Sequence, residues 1–277
     1  MTQEDPIRIH KKSDFAGSFL VIGWRGDLGN LGLAVTDYLN QKLQAEEFAE
    51  IDPEGFFSLG GVAVQADVAR FPESKFYFAQ EHQLTIFQSH PPEAEPYKFL
   101  NSVLDVAVHH CQVREIYVVG AMVSFSAHTA PRQLISVVNF AQMKEVLNQY
   151  DLIRDMDYQT SPGERPTLNS FLLWLAKRRN IPAISLWAPI PFYLVATGDC
   201  QAEKRVLAFL NERLSLRIEL SDLDQKIREQ NETLAQARSH SPQIDDYISR
   251  LESNLMLSEE ENADLIKKVA EFLHKGD

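Results

Sequence analysis

Glu115-Ile116-Tyr117-Val118-Val119-Gly120-Ala121-Met122-Val123-Ser124-Phe125-Ser126-Ala127-His128-Thr129-Ala130-Pro131-Arg132 joins an apolar run directly to a polar cluster. Eight apolar or small residues from Ile116 onward, rich in β-branched side chains, have the composition of a strand buried on both faces. The polar residues then emerge at its carboxyl end. In open α/β sheets that rim carries the ligand crevice, because strand-to-helix loops and helix N-termini meet there. The stretch therefore marks both a central strand and a candidate site.

Outward from it, short β-branched and aromatic runs alternate with helical patterns from Phe19 to about Leu194, as βα units around a sheet require. Strands are expected at 19–23, 48–51, 62–68, 75–79, 84–88, 116–123, 135–138 and 184–186. Val62, Val64, Ala66 and Val68 alternate with Ala63, Gln65, Asp67 and Ala69, so the middle of the chain is expected to be antiparallel or edge-like. Helices are expected at 31–44, 96–111, 140–150, 167–179 and 201–215. The fold class that follows is α/β, on a mixed, mostly parallel sheet.

Beyond Leu216 proline nearly vanishes, and Leu216, Leu220, Leu223, Ile227 and Leu234 recur at helical spacing. Ser239-His240-Ser241-Pro242 breaks that helix and opens a second, on which Ile244, Tyr247, Ile248, Leu251 and Leu255 share a face. Ser258-Glu259-Glu260-Glu261 has the spacing of a capping box for a third, ending near Leu273. The expected domains are thus 1–218, α/β, and 219–277, a helical appendage. From Ser221 onward 13 acidic residues face 7 basic ones, which reads as a solvated face opposite an apolar stripe.

Among 277 residues the net charge is −12, which disfavours phosphate-backbone binding and anionic membranes as partners. The longest uncharged run, 181–198, is broken by Pro182, Pro189 and Pro191 and does not read as a membrane span. Two distant cysteines, Cys111 and Cys200, make no disulfide framework, and the N-terminus has no apolar leader, so a cytoplasmic location is expected. His109, His110 and Cys111 are consecutive on an expected helix and point about 100° apart, so no metal site is read there. No cofactor is expected.

Four ordered blocks carry a family resemblance: Gly23-Trp24-Arg25-Gly26-Asp27-Leu28-Gly29; Glu50-Ile51-Asp52-Pro53-Glu54-Gly55-Phe56-Phe57; Gly120-Ala121 leading to His128-Thr129-Ala130-Pro131; and Tyr158 to Pro162-Gly163, then Ile181-Pro182-Ala183 and Leu186-Trp187-Ala188-Pro189-Ile190-Pro191-Phe192-Tyr193. The chain resembles the proteasome-assembly-chaperone family, in particular its bacterial and archaeal single-chain members. The resemblance covers about 19–211, and Tyr247-Ile248-Ser249-Arg250-Leu251-Glu252 with Glu271-Phe272-Leu273 resembles the tail of bacterial members. It implies an α/β/α fold akin to nucleoside phosphorylases, homo-oligomerisation and, for eukaryotic and some archaeal relatives, a role in proteasome assembly. Ala127 and Ala130 stand where relatives carry proline and arginine, and Ser89-His90-Pro91-Pro92 where relatives often carry glycine and glutamate before proline. The ending Leu273-His274-Lys275-Gly276-Asp277 lacks the hydrophobic-Tyr-any tail by which some relatives dock on the proteasome ring.

Three constellations are candidates for function. Gly26, Gly29 and Gly32, with Asp27 and Asn30 between them, open the first helix and have the composition of an anion cradle. Their three-and-three spacing is not the dinucleotide fingerprint, no phosphate-loop Lys-Ser follows, and a tight turn needs the same residues. Ser126, His128, Thr129 and Arg132 suit an anion pocket or, with Asp27 or Asp52 orienting the imidazole, a nucleophilic triad. The elbow that exposes a hydrolase serine is missing, and such loops also use these side chains for their own backbone. The pocket of Gly26, Asp27, Gly29, Asn30, Ser126, His128, Thr129 and Arg132 is therefore taken without catalytic residues. Trp187, Phe192 and Tyr193, among prolines that should stop an inner strand, serve either as core or as a subunit interface. A non-enzymatic homo-oligomer acting through protein surfaces, on itself and on another protein or complex, is the expected function. The alternative is a phosphorylase- or hydrolase-like enzyme with a small-molecule pocket at the strand ends.

Overall fold

A computed structural model describes residues 6–11, 15, 17–58, 63–65, 67–159 and 166–273. The residues 1–5, Val62, Ala66, Pro162, Gly163 and 274–277 read above lie outside the described residues. The chain divides into two compact units: Met1–Gly26, Gly32–Gly120 and Ser136–Leu186 form the first, and Asp27–Leu31, Ala121–Ile135 and Trp187–Asp277 the second.

The described elements run β1 (Ile7–Ile9), β2 (Phe19–Trp24), α1 (Leu31–Lys42), β3 (Glu46–Ile51), β4 (Ala63–Gln65), β5 (Val68–Arg70), β6 (Ser74–Ala79), β7 (Leu84–Ser89), α2 (Pro96–Asp105) and β8 (Glu115–Ser124). They continue with β9 (Ile135–Val138), α3 (Met143–Leu147), α4 (Leu168–Arg178), β10 (Ala183–Pro191), α5 (Cys200–Leu214), α6 (Ser221–His240), α7 (Pro242–Glu252) and α8 (Glu259–Leu273). Eight strands form one mixed sheet in the order β1-β3-β6-β7-β2-β8-β10-β9. β1/β3, β3/β6 and β6/β7 are antiparallel, as the alternating middle of the chain suggested, while β7/β2 and β2/β8 are parallel.

The first unit has three layers. Leu20, Ile22 and Trp24 of β2 face one way and pack with Phe76, Phe87, Ile116 and Val118 against α2 and α4. Phe48, Phe76, Phe78, Phe87 and Phe99 are stacked there at ring separations of 4.4–6.5 Å. Each such burial is worth roughly 1.5–3 kcal/mol, which makes this cluster the main store of stability. Trp24 spends its indole N–H on Asn169 Oδ1 at 2.7 Å. On the opposite face Gln88, the register partner of Gly23, donates to Thr36 Oγ1 at 2.9 Å, which sets α1 there.

Local chemistry explains the element ends. Thr167 caps α4 through Ser170 N–H, and Asn180 takes a left-handed φ of 56° where α4 stops, just before Pro182. Ser258 and Glu261 form the expected reciprocal box: Glu261 N–H donates to Ser258 Oγ at 3.2 Å and Ser258 N–H to Glu261 Oε2 at 2.7 Å. Ser241 caps α7 ahead of Pro242, and Ile244, Tyr247, Ile248 and Leu251 are buried as one face. Leu255 lies past that helix and is exposed.

Several expectations are corrected. The single strand at 62–68 is instead β4 and β5, paired antiparallel in a sheet of their own, because Asp67 turns the chain at φ 62°. β1 adds a short edge strand with no counterpart in the sequence reading. The helix at 140–150 shrinks to α3, and 96–111 is α helix only to Asp105, finishing as a π turn over Val106–His110. Pro189 and Pro191 do not stop β10, which runs on through both although it lies between β8 and β9. The reason is length: β9 has four residues, and Asn139 N–H meets Ala183 O, so β9 covers the first part of β10 and the prolines owe it no N–H.

Candidate functional site at the carboxyl ends of β2 and β8

Parallel pairing of β2 with β8, in the register Leu20↔Ile116 and Ile22↔Val118, sends both chains out of the sheet along one rim. After β2 the chain enters the turn 27–31 and after β8 the loop 125–134, both assigned to the second unit.

In the turn, Gly26 and Gly29 have positive φ, 72° and 66°. A Cβ on Gly29 would lie 2.7 Å from Ile190 Cδ1, so its glycine answers to packing against β10. Asn30 N–H donates to Asp27 O at 2.9 Å, and Asp27 starts the short 3-10 turn without a side-chain capping bond to it. Asn30 and Gly26 are exposed.

The loop is tied by its own polar residues to the segments that follow β10. His128, 6% exposed, donates its backbone N–H to Tyr193 Oη at 2.6 Å, and its Nδ1 lies 2.9 Å from the same oxygen. The backbone N–H and one ring nitrogen thus meet at a single phenol oxygen, and the buried ring is neutral at pH 7. Burial, the largest influence, pushes the His128 pKa down from 6.5 to about 4. Burial likewise pushes the Tyr193 phenol well above its ordinary range.

Arg132 donates from Nε to Asp199 Oδ2 at 2.6 Å, from Nη2 to His128 O at 3.1 Å, and from Nη1 to Ala130 O. The two side chains are 4% and 0% exposed, so this is a buried ion pair. Asp199 turns its other oxygen to the N-terminus of α5, accepting from Gln201 N–H at 3.0 Å and Ala202 N–H at 3.3 Å. Gln230 of α6 bonds Gly198 O and Cys200 N–H around the same corner. Thr129, exposed, donates to Glu252 of α7 at 3.3 Å, and Glu252 also receives Arg238 of α6 at 2.8 Å. Phe125 and Phe192 pack at 5.7 Å.

The structure therefore brings His128, Thr129 and Arg132 into one network. Ser126 is exposed and takes part locally, donating its N–H to Ser124 Oγ at 3.2 Å. The partner of His128 Nδ1 is a phenol rather than an acid. Asp52 belongs to the first unit, where it pairs with Arg8 and accepts Glu54 N–H at 3.0 Å. Phe192 and Tyr193 are buried, 6% and 1% exposed, and Trp187 is half-buried. Asp199, Gln230 and Glu252 were missed by sequence reasoning. Of these only Asp199 had a signal, as an acid after Gly198 at the head of a helical pattern.

The imidazole bonded to a phenol and the guanidinium with its buried counter-ion tie this loop's backbone to the segments that follow β10. The thiols are also quiet: burial raises Cys111 to about 12 and Cys200 to about 11.

A family model, the PAC2 family, matches residues 20–238. The chain belongs to the PAC2 family. No curated protein matches this PAC2 chain. Among solved structures, a protein of unknown function from Corynebacterium glutamicum superimposes with a TM-score of 0.77 at 14% identity, over 91% of this chain and 97% of that one. A proteasome-assembly chaperone homologue from Mycobacterium tuberculosis gives 0.68 at 18% identity, over 83% and 99%. PbaB of Pyrococcus furiosus, an archaeal proteasome activator, gives 0.69 at 21% identity, over 84% and 98%. At these identities the likeness is one of fold. Among the described residues no helix of the PAC2 chain is long and apolar enough to cross a membrane.

The His128 environment has a pH consequence. The unfolded chain takes up a proton near pH 6.5 that the folded protein refuses until about pH 4. This contribution to stability is complete above 6.5 and is lost as the pH falls toward 4, amounting to ~2 kcal/mol at pH 5. Urea titrations at pH 7 and pH 5 should show that loss in the wild type and a smaller one in His128→Gln.

Proposed function

We propose that this PAC2 protein is a cytoplasmic, non-enzymatic homo-oligomer that works through protein surfaces, as a chaperone-like or activating partner of a larger complex. The observation that carries the reading is the expenditure of the strand-end polar groups on the protein's own loops: His128 on Tyr193, Arg132 on Asp199, Thr129 on Glu252. A catalytic cluster needs a free lone pair or an accessible charge at that rim, whereas a scaffold needs only rigidity.

Two further observations support it. The PAC2 chain shares its fold with proteins described as a proteasome-assembly chaperone homologue and a proteasome activator. Large apolar side chains also stand in solvent: Met122, Val123 and Phe125 in the second unit, and Tyr97 and Trp174, each beside another aromatic ring, in the first. Such residues favour protein interfaces.

Light scattering coupled to size exclusion tests the oligomer. The expected mass is two or more whole multiples of 31.5 kDa and persists on dilution into the micromolar range. A mass of 31.5 kDa at every concentration contradicts it.

A further inference from the structure

Glu47 and Glu50 are three residues apart on β3, and in a regular strand they would point to opposite faces. They do not, because the β3/β6 ladder slips between Glu47 and Ala49: Glu47 pairs with Tyr77 and Ala49 with Phe76. The bulge turns Phe48 and Ala49 both inward and returns Glu50 to the solvent side with Glu47. On the other edge of β3, His10 N–H donates to Phe48 O at 2.8 Å, which fixes the residue after β1 beside the bulge. Its Nε2 then lies 3.6 Å from Glu50 Oε1 and 3.9 Å from Glu47 Oε1.

We propose that His10, Glu47 and Glu50 form a binding site for a divalent cation of the zinc type. One imidazole nitrogen and two carboxylate oxygens, all within 4.8 Å of one another, are three ligand atoms converging on one point. Donors about 2.0–2.1 Å from a tetrahedral zinc are ~3.3 Å apart, so the observed His-to-Glu separations need to close by roughly half an ångström. Side-chain rotation supplies that, since none of the three side chains is buried.

Neighbouring acids on β3 and just beyond it already have permanent cations: Glu46 has Lys11 and Asp52 has Arg8. Glu47 uses its second oxygen, Oε2, on Lys75 Nζ at 3.3 Å, which orients the carboxylate and leaves Oε1 toward the histidine. The mixed nitrogen and oxygen set suits zinc, cobalt or nickel better than magnesium or calcium, which prefer oxygen alone. Side-chain exposures of 45%, 35% and 31% leave the fourth position to water.

Calorimetric titration of the full-length protein with zinc chloride tests the site, alongside His10→Ala and Glu50→Gln. One zinc per chain should bind the wild type, and each variant should lose tenfold or more in affinity, with far-ultraviolet circular dichroism unchanged because none of the three side chains is buried. Cobalt gives a second readout: the intense visible bands of a tetrahedral site should appear with wild type and fade in His10→Ala. Equal zinc affinity in wild type and both variants, or no zinc uptake by the wild type at millimolar concentration, overturns the proposal.

Discussion

Asp199→Ala should cost the protein about 3–5 kcal/mol, the largest loss expected from any single side chain outside the aromatic core. Its carboxylate does two jobs, capping α5 through Gln201 and Ala202 and neutralising Arg132. Losing the cap alone is worth about 1 kcal/mol. The larger part comes from leaving the guanidinium, 4% exposed, without its counter-ion. Asp199→Asn keeps a capping oxygen and should fall between wild type and Asp199→Ala. Arg132→Met combined with Asp199→Asn should be less damaging than the sum of the two single changes, because no buried charge remains. Urea denaturation of the four variants measures all of this. A loss under 1 kcal/mol in Asp199→Ala would show that the pair is hydrated.

Gly23→Ala should be nearly as severe, at about 3 kcal/mol or more, for a steric reason. A Cβ at position 23 would stand 2.1 Å from Gly32 O, 2.6 Å from its carbonyl carbon and 2.8 Å from Thr36 Cγ2. The first two are backbone atoms, so α1 itself must move off the sheet, and overpacking that cannot be relieved by rotamers lies at the costly end of its range. That movement would also strain the Thr36–Gln88–Asp37 bonds beneath the helix. Thermal unfolding should show a lower midpoint for Gly23→Ala. Gly26→Ala, which meets nothing within 4 Å, should lose only the cost of its φ of 72°.

The same glycines show how far sequence alone reaches. Gly29 and the Gly23–Gly32 pair are legible as a requirement for small residues after a strand, but whether the requirement comes from a ligand or from a neighbouring element depends on atoms far along the chain. Here those atoms are Ile190 Cδ1 for Gly29 and the first turn of α1 for Gly23. The buried run 116–121 was readable because both its faces are apolar, and the capping box because its two bonds span three residues. The hairpin of β4 and β5 was not, since alternation continues smoothly through Asp67 while the backbone turns there. The helix over 140–150 failed for want of burial: only Met143 and Leu147 face inward.

At the rim, His128, Thr129 and Arg132 were readable as a cluster, yet their chemistry was not. What decides it lies 65 to 123 residues downstream: Tyr193, Asp199 and Glu252. Polar residues at a strand's carboxyl end look alike in sequence whether they await a ligand or are consumed by the fold. Only the partner tells them apart.

Protonation of His128 reports on that partner directly. In protein labelled at the imidazole carbons, the Cε1 resonance of His128, assigned by its loss in His128→Gln, should titrate with a midpoint near 4. A midpoint near 6.5 would mean an imidazole open to solvent and free to exchange protons, which contradicts a rim closed by the protein's own side chains.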